Sequence, residues 1–429
     1  MKVLIETHGC KLNTADSQRL ATEFVRSGYQ LVPRGGVPDV FVLNSCTVTH
    51  VADKKARQSL RKARKNFPHA IVVAAGCYAE SSKSDLEELS ATDLVIPNTR
   101  KSEIVSIVTS RTGLEPDGDS SGTDKSGKLP GRTRAAVKIQ EGCDQVCSYC
   151  IVPKVRGRER SIPKADIVRQ IQTLSRAGYK EVILTGTQLG SYGFEFDDTG
   201  LVDMVTSVLE QTDVQRLRIS SLQPTEFSDE LLSLWSGVGK NRLCPHFHIP
   251  LQSGSDRILS NMRRRYTADN FLSSVQMVKN VDPTCSVTTD VITGFPGESE
   301  EDHQRTVEVL LAAEIADAHI FPYSLRPGTS AAYFDDQVEV GTRMRRAENL
   351  RKLADTAAEI HRKKFVGSVR QVLWEGLSGI TGLTDNYLRV HLQPGQVHKQ
   401  MIDGADGLIE NVRLTGLEGL QLIGSPVSY

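Results

Sequence analysis

Short apolar runs alternate with longer stretches of helical periodicity through the first hundred positions. Val3-Leu4-Ile5-Glu6-Thr7 reads as a strand, and Asn13 to Ser27 as a helix capped by Asn13. Val40-Phe41-Val42-Leu43-Asn44 and Val51 to Asn66 repeat the unit, and Ala70-Ile71-Val72-Val73-Ala74 starts a third. Continuous apolar strands alternating with helices imply an open parallel sheet covered on both faces, assigned to residues 1–110. Residues 111–131 have almost no apolar content and read as a flexible linker.

Strand and helix patterns then alternate through residues 132–364. Strands are expected at 135–140, 181–186, 216–221, 246–250, 286–292 and 319–324, which suits a parallel α/β barrel. A long helical pattern from Gly341 to Lys364 precedes short alternating runs punctuated by glycine. Residues 365–429 therefore read as a small antiparallel β-barrel.

Cysteine placement changes the picture most. Cys143, Cys147 and Cys150 form a Cys-x3-Cys-x2-Cys run directly after the first barrel strand. Three thiolates can hold three corners of a four-iron four-sulfur cluster and leave one iron open. Zinc wants a fourth ligand that is not nearby, and an odd set of thiols cannot pair internally as disulfides. Cys10, Cys46 and Cys77 each follow the C-terminal end of a strand. Loops at that edge of a parallel sheet converge, so a second three-thiolate cluster is expected there. The remaining thiols, Cys244 and Cys285, read as core residues.

Strand-end logic also nominates cofactor or substrate positions: Gly186 and Thr187 after the second barrel strand, Ser220 after the third, Gln252 and Ser253 after the fourth, and Asp290 in the fifth. His246 and His248 share a face of the fourth strand and read as polar barrel residues bonded to neighbours in preference to metal ligands.

Charge adds a local argument only. The 52 basic and 52 acidic residues of this 429-residue chain cancel. The helix at 51–66, however, sets Lys54, Lys55, Arg57, Arg61, Lys62, Arg64 and Lys65 against Asp53 alone, as either a solvated face or a phosphate-contacting one. Arginine-rich words at 156–160, 263–265 and 343–346 add weak support for nucleic acid. No apolar run approaches a membrane span, and the chain reads as cytoplasmic.

The central run, with Tyr149 before its last cysteine, resembles the signature of the radical S-adenosylmethionine (SAM) enzymes. The words Thr7-His8-Gly9-Cys10-Lys11-Leu12-Asn13, Asn44-Ser45-Cys46-Thr47 and Ala75-Gly76-Cys77-Tyr78 resemble the N-terminal domain of their methylthiotransferase subfamily, and the C-terminal segment resembles the TRAM module, an OB-like barrel. The resemblance implies a partial six-stranded barrel, two 4Fe-4S clusters and SAM. Tyr149, Gly186, Thr187, Ser220, Gln252, Ser253 and Asp290 would lie at the cofactor. It also implies an electron donor of flavodoxin or ferredoxin type, a sulfur source, and a terminal barrel that helps hold an RNA loop over the active site.

The implied substrate is tRNA at the adenosine 3' of the anticodon. Cys10-Lys11-Leu12-Asn13 resembles the branch acting on threonylcarbamoyladenosine. The branches acting on isopentenyladenosine or on an aspartate of a small-subunit ribosomal protein stay open, as does a non-catalytic iron-sulfur RNA-binding regulator.

Overall fold

The computed structural model describes residues 1–113, 128–129, 132–197, 199–375, 380–393, 395 and 407–427. Its first sheet is parallel throughout, in the order Gln30–Leu31, Lys2–His8, Val40–Ser45, Ile71–Gly76, Leu94–Pro97. Strand side chains alternate between faces. Val40, Val42 and Val73 pack under Leu20 and Phe24 of the helix Lys11–Arg26, while Phe41, Leu43 and Val72 pack under Ala56, Leu60 and Ala63 of the helix His50–Asn66.

The first helix starts two residues earlier than its periodicity predicts, with Cys10 at the cap. Asn13 is not free to cap it. Its amide is buried and donates to Asn44 Oδ1 (3.2 Å), and Asn44 Nδ2 returns a bond to the Asn13 carbonyl (2.8 Å). The linker expected at 111–131 begins with the end of the helix Ile104–Thr112 and Gly113. Beyond them it lies almost wholly outside the described residues.

The six barrel strands lie in chain order: Arg134–Lys138, Glu181–Thr185 and Arg216–Ile219 form one parallel sheet, and His246–His248, Ser286–Thr293 and Asp317–Pro322 another. Backbone bonds from Leu217 to Arg242 and from Cys244 to Leu217 join the two. Val182, Leu217, Phe247, Val287 and Ile320 face the helices. Arg134, Glu181, Arg218, His246, Asp290 and His319, on the alternate register, face the opposite side, the barrel interior.

The first and sixth strands do not pair with each other, so the barrel is open on one side. The N-terminal domain fills that gap. Asp16 accepts from Lys138 Nζ (2.6 Å) at one edge, and Asp53 accepts from Arg326 Nη1 (2.8 Å), just past the sixth strand, at the other.

The C-terminal barrel closes through Val369–Glu375, Thr381–Thr384, Arg389–Leu392, Gln421–Pro426 and Ile409–Glu418. Four of its five pairings are antiparallel, and Arg389–Leu392 beside Gln421–Pro426 is parallel. It docks on the N-terminal ends of the large barrel's strands. Arg216 donates to the carbonyls of Leu383 (3.1 Å) and Gln371 (2.7 Å), and the Tyr387 ring stacks on His246 at 4.1 Å. The cysteine-bearing loops lie at the opposite ends of those strands. No helix among the described residues is long and apolar enough to cross a membrane.

Candidate active site

Strand register levels the three N-terminal thiols. His8 pairs with Ser45 and Ser45 with Gly76, and Cys10, Cys46 and Cys77 follow within two residues of those positions. The crowding is tight enough to require glycine at position 9, where φ is +152° and any Cβ would fall 2.8 Å from the Cys46 Cβ. Burial pushes the Cys46 thiol up to about 12, and Cys10 and Cys77 push it further in the same direction. Cys77 is raised by burial too, against the pull of Arg156.

The central trio occupies the loop after the first barrel strand. Gly142, at φ +79°, turns the chain there. A Cβ at that position would sit 1.9 Å from the Arg158 carbonyl oxygen, so the loop needs the missing side chain. Burial raises Cys143 to about 11 and Cys150 to about 12, with Cys147 adding to both. Arg264 Nη1 donates to Cys147 Sγ (3.3 Å), and Nη2 donates to Gln223 Oε1 (3.0 Å). Tyr149 packs with Met262, Phe295 and Tyr323 beside the trio.

The two trios are neighbours. Cys77 packs against Ile151 and Val155, and Ile151 follows Cys150 directly. Asn98 Nδ2 spans the same seam, donating to the Val155 carbonyl (2.9 Å) and to Cys77 Sγ (3.6 Å). Beneath it lies a buried charge cluster. Arg156 Nη1 reaches Asp16 (3.1 Å) and Glu141 (2.8 Å), while Lys138 reaches Asp16 (2.6 Å) and Glu141 (3.0 Å). Burial opposes ionisation of Asp16, but Lys138, Lys101 and Arg156 outweigh it and hold the carboxyl well below its usual range. Burial opposes ionisation of Glu141 as well, but Lys138 and Lys101 together outweigh it and lower the carboxyl to about 2.

These donor sets suit clusters. Cys46 and Cys77 are buried, Cys10 is exposed and the central three are half-buried; thiols crowded together in this way gain from a bound cationic centre, which converts them to thiolates. Arg264 beside one trio and Arg156 beside the other offset the negative charge that results.

The other nominated residues are placed unevenly. Thr187 is the best aimed: its backbone N–H donates to Gln140 Oε1 (2.8 Å), and its buried hydroxyl has no partner among the described residues. Gly186 precedes it at the strand end, and Ser220 is buried after the third strand. Gln252 adopts φ +66°, uncommon for a side-chain-bearing residue, and is stitched to the fifth strand through Asp290 O and Ile292 N. Ser253 is fully buried, and its hydroxyl accepts from Ser255 N (3.2 Å).

Asp290 sits between His248 Nε2 (3.3 Å) and His319 Nδ1 (3.1 Å). His246 and His248 both reach Thr288 Oγ1 (3.0 Å each), as polar barrel residues do.

Comparison with known proteins fits the two halves. The sequence model of the uncharacterized protein family UPF0004 matches residues 2–97, and that of the radical SAM superfamily matches 137–310. The chain is 36% identical over 400 residues, 91% of its length and 96% of the relative's, to a threonylcarbamoyladenosine tRNA methylthiotransferase of Aquifex aeolicus. The chain belongs to the radical SAM methylthiotransferases. A tRNA-2-methylthio-N(6)-dimethylallyladenosine synthase of Akkermansia muciniphila is 34% identical and covers 99% of the chain and 98% of its own length. Among solved structures, the radical SAM methyltransferase TsrM of Kitasatospora setae shares the fold at a TM-score of 0.56 and 15% identity, covering 77% of this chain and 74% of that one. As a radical SAM methylthiotransferase acting on tRNA, the chain uses SAM and a 4Fe-4S cluster.

Sequence reasoning missed Arg264, Asn98 and the Asp16–Arg156 cluster. Arg264 was hidden in an arginine-rich word. Of the other such residues, Arg156, Arg160, Arg345 and Arg346 pair with carboxylates of this chain.

Proposed function

We propose that this methylthiotransferase adds a methylthio group to the adenine 2-position of threonylcarbamoyladenosine beside the tRNA anticodon. The observation that carries the reading is the adjacency of the two thiol trios, with Cys77 packed against Ile151 and Val155 of the segment that follows the central loop. Cys143, Cys147 and Cys150 would hold the SAM-binding cluster. Cys10, Cys46 and Cys77 would hold a second one that handles sulfur. When bound, these groups supply the radical and sulfur chemistry that an unactivated aromatic C–H demands.

The chain supplies position and charge. Arg264 and Arg156 balance the thiolates, Tyr149 and its apolar neighbours keep water from the central loop, and the Thr187 hydroxyl offers a free hydrogen bond at the cofactor side. Gly186, Ser220, Gln252, Ser253 and Asp290 frame the same strand ends or the interior below them. A flavodoxin- or ferredoxin-type donor and a sulfur source complete the reaction.

Nucleoside analysis of tRNA from a deletion strain tests the reading. Loss of the methylthio-threonylcarbamoyl nucleoside, with its unthiolated precursor accumulating, supports it. An unchanged profile sinks it, and loss of the methylthio-isopentenyl nucleoside moves the enzyme to the other tRNA branch.

A further inference from the structure

Lys11 follows Cys10 and opens the first helix, yet its side chain leaves the N-terminal domain through the open side of the barrel. Its ammonium lies 5.7 Å from the centre of the Tyr387 ring. It acts electrostatically on Asp290 of the fifth strand, His319 of the sixth, His246 of the fourth, and Arg218 and Arg134 of the third and first. Such a set of neighbours exists only inside the barrel. A cavity of about 480 Å³ that Lys11 lines also includes Arg132, Arg134, Arg389 and Tyr387.

The cation has no acid of its own. Glu181 is taken by Arg218 (2.8 Å), with Arg216 (3.7 Å) and Arg134 (3.9 Å) close behind. Glu375 is shared by Arg134 (2.7 Å) and Arg389 (2.9 Å), and Asp290 is engaged by His248 and His319. Among the described residues Lys11 makes no ion pair and donates no hydrogen bond. A partly buried ammonium among guanidinium groups is costly unless an anion joins it.

We propose that Lys11 is a specificity-determining residue whose ammonium receives the free carboxylate of the threonylcarbamoyl substituent as the target adenine enters the barrel. This rests on the substrate reading above and deepens it. A dimethylallyl substituent is apolar and carries nothing to pair with Lys11. A threonylcarbamoyl group brings the missing anion, and also a hydroxyl and urea groups that can meet the His248–Asp290–His319 set across the interior. Lys11 thereby distinguishes two substrates that share the same adenine and the same chemistry.

The test uses the reconstituted holoenzyme and synthetic anticodon stem-loops carrying either threonylcarbamoyladenosine or plain adenosine. Wild-type enzyme is expected to bind the modified loop about tenfold or more tightly, the scale of one charge-assisted bond. Lys11→Met should bring the two affinities together while leaving that for the plain loop unchanged, and Lys11→Arg should keep most of the preference. SAM cleavage to 5'-deoxyadenosine is read in parallel and should persist in Lys11→Met. A Lys11→Met enzyme that still prefers the modified loop overturns the assignment alone. Loss of SAM cleavage overturns it by giving the ammonium to the cofactor, and a wild-type enzyme without preference overturns the threonylcarbamoyl reading together with it.

Discussion

Arg156 Nη1 stands 3.1 Å from Asp16 Oδ2, and this buried ion pair ties the segment that follows Cys150 to the helix that begins beside Cys10. The cluster around it is one of the buried polar links between the N-terminal domain and the barrel, another being Arg326 with Asp53. Removing one partner strands a buried charge, so Asp16→Asn should cost about 3–5 kcal/mol of stability. Because the folded-state pKa of Asp16 is depressed, its contribution is present above the ordinary carboxylate range and is lost as pH falls below about 4. Thermal unfolding as a function of pH should show an acid-side loss in the wild type that is blunted in Asp16→Asn.

Glu226 titrates the other way. Burial raises its carboxyl from 4.5 to about 7, although the Gln223 backbone N–H donates to it. Between those values the folded chain binds a proton that the unfolded chain has released, so stability falls as pH rises from about 5 to 8. At about 1.4 kcal/mol per unit the effect is about 3 kcal/mol. Unfolding of the wild type against Glu226→Gln across that range should give a steeper decline in the wild type. Parallel curves would show that Glu226 does not titrate there.

The basic helix His50–Asn66 offers a third expectation. Lys54, Lys55, Arg61, Lys62 and Lys65 are exposed and none forms an ion pair among the described residues, whereas Arg57 and Arg64 are committed to Tyr78 and Asp93. Replacing Lys54, Arg61 and Lys65, which share one stripe, with alanine should weaken tRNA binding without changing SAM cleavage. The slope of log affinity against log salt should shrink by about 3, one unit per lost phosphate contact. An unchanged slope would make this face merely solvated.

Much of this was legible from local pattern. Strand alternation and the position of each cysteine one or two residues past a strand end are local signals, and the register at His8, Ser45 and Gly76 carries them directly into space. The pairings that join the domains carry no such signal. Asp16 meets Arg156, Asp53 meets Arg326 and His246 stacks on Tyr387, each across more than a hundred residues, and one partner in isolation reads as an ordinary surface charge or turn. The docking side of the C-terminal barrel was illegible for the same reason: it depends on Arg216 finding carbonyls of Leu383 and Gln371.

Iron and sulfide counting, with the Mössbauer spectrum, on the wild type and on two triple variants bears most directly on the two-cluster claim. The wild type should hold about eight irons per chain, and Cys10/Cys46/Cys77→Ala and Cys143/Cys147/Cys150→Ala about four each. The first variant should still cleave SAM and the second should not. A wild type with only about four irons, or two variants that behave alike, would contradict the account.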